Sequence, residues 1–120
     1  MTEVTPTPDK DVQDNKLYAI LAYFSILFLI PLLAAKESPY ARFHANQGCI
    51  LFILDIAVWI VLFIISFITA LILPSLLFII GIINLLLYLG LAVLVVIGII
   101  NAAKGEKKEL PFIGKYQIIK

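Results

Sequence analysis

Apolar residues dominate the chain from Cys49 to Ala103, where 55 residues contain one carboxylate, Asp55, and no basic residue. Apolar runs of about 18 residues or more are typical of membrane spans. Pro74 lies near the middle of this run. Because proline interrupts a helix, the pattern predicts two spans, over residues 50–73 and 75–103, joined by a tight turn.

A third uncharged stretch covers residues 17–35. As a helix it would be about 28 Å long, close to the thickness of the hydrocarbon core. Pro31 lies in its last third, and in a bilayer we expect a kink there rather than a stop. The predicted fold is all-α: an integral membrane protein whose three transmembrane helices lie within residues 17–103. A re-entrant turn at Pro31 or Pro74 would change the number of passes.

Polar sequence separates and flanks these stretches. Residues 1–16 are rich in Thr, Pro, Asp and Lys without an apolar face, which predicts a disordered polar tail. Residues 36–47 crowd charged and amide side chains into a few turns, which predicts an interfacial amphipathic segment before the second span. Residues 104–120 interleave lysines with apolar side chains, which predicts a basic amphipathic tail suited to an anionic membrane surface.

Composition supports the membrane class and argues against several others. The chain is 62% hydrophobic and 14% charged, whereas soluble domains carry about a quarter charged residues. The net charge of +1 gives no argument for nucleic acid. No ligand cluster suggests a metal or cofactor, and none of the common catalytic signatures is present. We therefore predict a non-enzymatic protein without cofactors.

Orientation follows from counting lysines and arginines. With three spans, the first loop and the C-terminal tail share one side and hold seven basic residues, whereas the N-terminal side holds Lys10 and Lys16. This asymmetry predicts an N-terminus outside and a C-terminus in the cytoplasm.

Three polar side chains are candidates for chemistry. His44 is the only histidine, and it suits either proton handling or a hydrogen bond at the interface. Asp55 is the only acid in the long apolar run, so it is a candidate for ion coupling or for a polar contact between helices. Asn84 is a lone amide in the third span; counting outward from Pro74 puts it near the depth of Ser66, which predicts a hydrogen bond between them.

Two sequence motifs resemble those of a known protein family. One is S-P-Y-A-R-F-H-A-N-Q-G, residues 38–48, and the other is N-A-A-K-G-E-K-K-E-L-P-F-I-G, residues 101–114. With the pattern of spans, they resemble a widespread bacterial family of small membrane proteins, which is similar to the chloroplast inner-envelope import component, the Tic-twenty-like proteins. The residues that match this pattern are Arg42, Phe43, His44, Gln47, Gly105, Leu110 and Pro111.

The resemblance implies a helical membrane protein and, in the plastid relatives, participation in a protein-conducting complex. Because both motifs fall on the predicted cytoplasmic side, we also expect them to pack together, with Leu110 and Pro111 folding the tail against Phe43. The predicted function is that of an accessory or assembly subunit in a bacterial plasma membrane, in contact with the bilayer and with copies of itself or a larger membrane partner. The alternative is an oligomeric channel or transport component with a path near Asp55 and Asn84.

Overall fold

The structure is a computed structural model that describes residues 8–119, and every described element in it is helical or irregular. Four α-helices follow one another: α1 (Pro8–Leu21), α2 (Leu29–Ala34), α3 (Pro39–Ile72) and α4 (Leu77–Ala103). Short 3-10 turns at Ser25–Phe28 and Pro74–Leu76 precede α2 and α4. The molecule is a rod with extents of 68 × 22 × 21 Å.

The long helices α3 and α4 form an antiparallel hairpin. Ser38 caps α3 by accepting the amide hydrogen of Ala41 at 2.9 Å, and Pro39 occupies the first turn, where its missing N–H costs nothing. At the far end Pro74 keeps Leu73 out of the helical region, with φ −149°. The predicted turn at Pro74 is therefore present, and it joins the two long helices.

Burial divides the rod into two parts. The buried residues of α3 other than Leu62 lie between Tyr40 and Leu51, and those of α4 are Gly98, Asn101 and Ala102. Between these clusters nearly all side chains are apolar and most are exposed. We call residues 52–97 the stem and the rest the head. Residues 52–72 and 77–97 each extend about 31 Å, the thickness of a hydrocarbon core, so we take them as the membrane-spanning segments.

The prediction of three spans is wrong. Two helices are long and apolar enough to cross a membrane, Pro39–Ile72 and Pro74–Ala103. Residues 17–35 are divided between the end of α1, the first 3-10 turn and α2. The break comes at Ser25, where φ is +54°, and Pro31 lies in the first turn of α2, where it removes no helical hydrogen bond.

Packing explains why this apolar stretch does not continue as one helix. The carbonyl of Ala22 lies so close to Gly48 of α3 that a Cβ there would overlap it. The ring of Tyr23 covers Gly98 of α4 in the same way. After Tyr23 the chain turns away from these close contacts with Gly48 and Gly98. Hydropathy depends only on composition, so it could not predict them.

The N-terminal region differs from the predicted polar tail. Residues 1–7 lie outside the described part of the chain, but residues 8–16 belong to α1, which packs against α3 and α4. Asp11 is buried; its carboxylate accepts hydrogen bonds from the Ser38 hydroxyl and, at 3.0 Å, from the Tyr40 amide. A carboxylate at the start of a helix is stabilised by the helix dipole. Asp11 therefore joins α1 to the start of α3.

The C-terminal segment folds back on the head. Gly105 ends α4 with φ +76°, and the amides of Gly105 and Glu106 donate to the carbonyls of Ala102 and Asn101 at 3.1 and 2.9 Å. This pair of bonds is a Schellman motif, whose left-handed position favours glycine. Residues 106–119 then return through turns to α3. The predicted interfacial segment is likewise not separate, because residues 39–47 begin α3 itself.

Candidate functional site

His44 lies at the centre of the head and is fully buried. Its Nε2 is 2.9 Å from the carbonyl oxygen of Glu106, and its Nδ1 is 2.5 Å from the hydroxyl of Tyr23. A carbonyl can only accept, so Nε2 carries the proton and Nδ1 accepts from the Tyr23 O–H. His44 thereby connects the end of α1, the start of α3 and the segment after α4.

The surroundings of His44 favour its neutral form. Burial lowers the pKa of His44 to about 4; the Glu106 carbonyl partly opposes this shift, whereas the nearby Lys107 charge adds to it. The rings of Tyr23, Tyr40 and Phe43 meet the imidazole edge-on, with centroids 4.9 to 5.5 Å away. The Tyr40 hydroxyl also donates to the Ala102 carbonyl. These contacts make His44 a packed connector with both nitrogens occupied.

Two neighbouring amides on α3 hold the returning tail. Gln47 is 1% exposed; its Nε2 donates to the carbonyl of Gly114 at 2.9 Å, and its Oε1 accepts from the amide of Leu110 at 2.8 Å. Asn46 donates to the Tyr116 carbonyl at 2.9 Å. Its Oδ1 accepts from the amides of Ile118 and Ile119 at 2.7 and 2.8 Å. The tail therefore packs on α3 as an ordered segment.

A groove lies between the start of α3 and the tail, with a volume of about 540 Å³. Arg42 and Phe43, both predicted candidates, line it and are half-buried. The charged residues along the groove are Glu37, Arg42, Lys107, Glu109 and Lys115. The groove therefore carries charges of both signs, which suits polar contacts with another molecule.

The outer side of the tail exposes several apolar side chains. Leu110 points inward and is 3% exposed, whereas Pro111 is exposed on the turn that follows. Phe112, the next residue, is 93% exposed and has φ +69°, an uncommon conformation for a bulky side chain. The turn that holds it is closed by the Gly114 amide, which donates to the Leu110 carbonyl at 3.0 Å.

The two stem candidates lie apart. Asp55 lines a cavity of about 240 Å³ at the boundary between head and stem, whereas Asn84 does not line it. The Oδ1 of Asn84 is buried and accepts no hydrogen bond within the described residues, so the predicted bond with Ser66 is not formed. Asp55 and Asn84 therefore share no cavity in the single chain.

Three residues of the head were missed by sequence reasoning: Asp11, Tyr23 and Asn46. Asp11 sits in a polar stretch and Tyr23 in an apolar one, so neither departs from its local pattern. Asn46 lies within the first motif next to Gln47, and that pair of amides was the available sign of a shared role. Over the described ranges no group of three His, Cys, Asp or Glu side chains is placed to hold a metal ion.

Comparison with known proteins adds one match. Residues 14–117 match the model of the MamF/MmsF family, the magnetosome magnetite crystal formation protein family. The chain belongs to this family. No curated protein and no solved structure matches the chain, and nothing in the comparisons supports the resemblance to the Tic-twenty-like proteins.

Membership in the MamF/MmsF family agrees with a small bacterial membrane protein, as do the two apolar helices. The matched range includes the whole stem, the start of α3 and the tail up to Gln117. The family match therefore covers Tyr23, Tyr40, Phe43 and Glu106, the residues that contact His44.

Proposed function

We propose that this member of the MamF/MmsF family is a non-enzymatic accessory or assembly subunit of a membrane complex, and that its tail contacts the partner. The observation that carries the proposal is Phe112, an aromatic side chain almost fully exposed on an anchored turn. Exposed aromatic rings on rigid segments are the usual anchors of protein interfaces. Strained backbone at such a position points to a use for the side chain it presents.

The position of the tail favours a protein partner over lipid. Asn46 and Gln47 hold the tail, and they lie about 8–9 Å along α3 from the start of the membrane-spanning segment. Headgroups extend about 6 Å beyond the hydrocarbon core on each side. The tail backbone bound to these two amides is therefore placed at or beyond the outer edge of the headgroups, and we propose that the exposed side chains of Phe112, Tyr116 and Ile118 meet a protein partner there.

The interior of the head supports a non-enzymatic role. Both nitrogens of His44 and both ends of Gln47 are engaged by the chain's own backbone or by Tyr23. These side chains hold the segments of the head together, and their polar groups are occupied within the chain and do not face a substrate.

Crosslinking in native membranes tests the partner contact. A tagged chain carrying Phe112→Ser should lose at least about tenfold of the crosslinked partner, in line with the 2 kcal/mol or so that a hot-spot residue contributes. Phe112→Tyr keeps the ring and is the matched control, which should retain the partner. Equal recovery with both variants would contradict the proposal. Recovery of the chain's own multimers alone would identify the partner as a second copy.

We propose that both ends of the chain lie in the cytoplasm. With two spans, everything except the turn around residues 73–76 is on one side, so all nine lysines and arginines are there. The positive-inside rule assigns such a side to the cytoplasm. This replaces the orientation expected from three spans, in which the N-terminus was outside.

Labelling of single cysteines with a membrane-impermeant maleimide tests the orientation. The background is Cys49→Ala, which removes the only native cysteine. With the chain expressed in the plasma membrane of a bacterial host, Ser75→Cys should react from outside intact cells, whereas Lys107→Cys and Asn15→Cys should react only in inverted vesicles. Labelling of position 15 from outside would refute the two-span topology.

This topology bears on the family's association with magnetite. In a magnetosome membrane, the side away from the cytoplasm would carry only the uncharged turn Leu73–Leu76. A short apolar turn offers no carboxylates or hydroxyl clusters to a mineral surface. We therefore propose that any contribution to crystal formation acts from the cytoplasmic head, through partners that the head holds at the membrane.

A further inference from the structure

A cavity of about 240 Å³ lies where the head meets the stem, enclosed by the first 3-10 turn, α3 and α4. Its polar lining residues are Asp55, Ser25 and Tyr88, and Tyr23, whose hydroxyl donates to His44, also borders it. The rest of the wall is apolar: Gly48, Leu51, Phe52, Leu91, Ala92 and Val95. This cavity is separate from the groove under the tail, which shares none of these residues.

Asp55 is the only charged residue of the stem. It lies about 5 Å inside the start of the membrane-spanning segment of α3. Within the described part of the chain it makes no hydrogen bond and no ion pair. A carboxylate at this depth is costly without a counter-charge, so an unpartnered one bordering a cavity indicates a ligand of opposite charge.

The walls restrict what that ligand can be. Tyr23, Phe52 and Tyr88 bring three aromatic rings to the cavity, and the faces of such rings attract cations. An inorganic cation would have to exchange its hydration shell for one carboxylate, a few hydroxyls and apolar carbon, which is a poor set of ligands. A cation that carries its own apolar body matches both the charge and the walls.

We propose that this cavity binds a small organic cation, a protonated or quaternary amine with an apolar body, with Asp55 as its counter-charge and the aromatic rings around it. The volume is below the roughly 300–1,000 Å³ of sites for drug-sized molecules, so the ligand is small. The site opens at the boundary of the bilayer, where amphiphilic amines accumulate. It does not depend on the partner proposed for Phe112.

Calorimetry on the full chain in maltoside micelles tests the site. The probe is benzyltrimethylammonium, and its neutral counterpart is neopentylbenzene, which has the same shape with carbon in place of nitrogen. The cation should bind at least about tenfold more tightly than the neutral compound, because only the cation interacts with the carboxylate and the ring faces.

Substitutions test whether the cation binds in this cavity. Asp55→Asn should weaken binding of the cation about tenfold or more, and Tyr88→Leu several-fold. Asp14→Asn makes the same chemical change on an exposed part of α1 and should bind as the unchanged chain does. Equal binding by the two Asn variants would overturn the proposal. Equal affinity for the cation and the neutral compound would overturn it on the unchanged chain alone, without any variant having to fold.

Discussion

Replacing Gln47 by leucine should release the tail from α3. Gln47 is buried and satisfies two backbone groups of the tail, the amide of Leu110 and the carbonyl of Gly114. Leucine has a similar volume and offers neither hydrogen bond. Each buried group left unpaired costs about 1–3 kcal/mol, so the docked tail loses about 2–6 kcal/mol.

The free energy of docking the tail sets an upper limit on how much Gln47→Leu can lower the global stability. Once the tail detaches, its backbone groups bond to water, so the global stability falls by no more than the free energy of docking. The local effect is therefore the sharper measure. Hydrogen exchange at the Leu110 amide should accelerate by about 30-fold or more, since about 1.4 kcal/mol corresponds to a factor of ten.

The matched control is Gln117→Leu, the same substitution at an exposed position of the tail. It should leave exchange at Leu110 unchanged, and trypsin should cut after Lys115 faster only in the Gln47 variant. If both variants exchange Leu110 at the same rate, the Gln47 amide contacts do not hold the tail on α3.

Two further predictions concern the centre of the head. Gly98→Ala should destabilise the protein by about 1–3 kcal/mol, because the new methyl group overlaps the Tyr23 ring; Gly90→Ala, with nothing within 4 Å, is the control, and equal melting temperatures would contradict this packing. Burial lowers the pKa of His44 from 6.5 to about 4, so the unfolded chain takes up its proton at higher pH than the folded one. The stabilisation from neutral His44 should be complete above about pH 6.5 and decline toward pH 4. Chemical unfolding across this range should have a shallower pH slope in His44→Gln, and an unchanged slope would refute the assignment.

The two long helices of the stem could be predicted because the local sequence determines them. An uninterrupted apolar sequence and one proline determine two long helices and the turn between them, and each of these can be read from adjacent residues. The first predicted span failed for the opposite reason. Residues 17–35 combine buried residues, such as Ala22 and Tyr23 against glycines of α3 and α4, with exposed apolar side chains such as Leu33. The break after Tyr23 depends on contacts with residues far along the chain, which hydropathy does not record.

The head was predictable only in part, since its hydrogen bonds join residues far apart in the chain. His44 meets Glu106 across 62 positions, and Asn46 meets Ile119 across 73. The two motifs that carried the resemblance do lie against each other. Their partners inside α1, above all Asp11, could not be inferred from a polar stretch that reads as a solvated tail.

The placement of the motif residues changes where function should be sought. In the sequence, a lone histidine among Arg, Asn and Gln suggests a reactive site. In the structure, His44 is buried and both of its ring nitrogens are hydrogen-bonded, so it links segments of the chain. The motifs explain how three segments of the chain close into one head. Side chains free to meet another molecule include Phe112, on the exposed turn of the second motif, and Asp55, beside its cavity. Substitutions of the buried motif residues His44, Gln47 and Leu110 should therefore act through stability, whereas substitutions of Phe112 and Asp55 should act through binding with the fold intact.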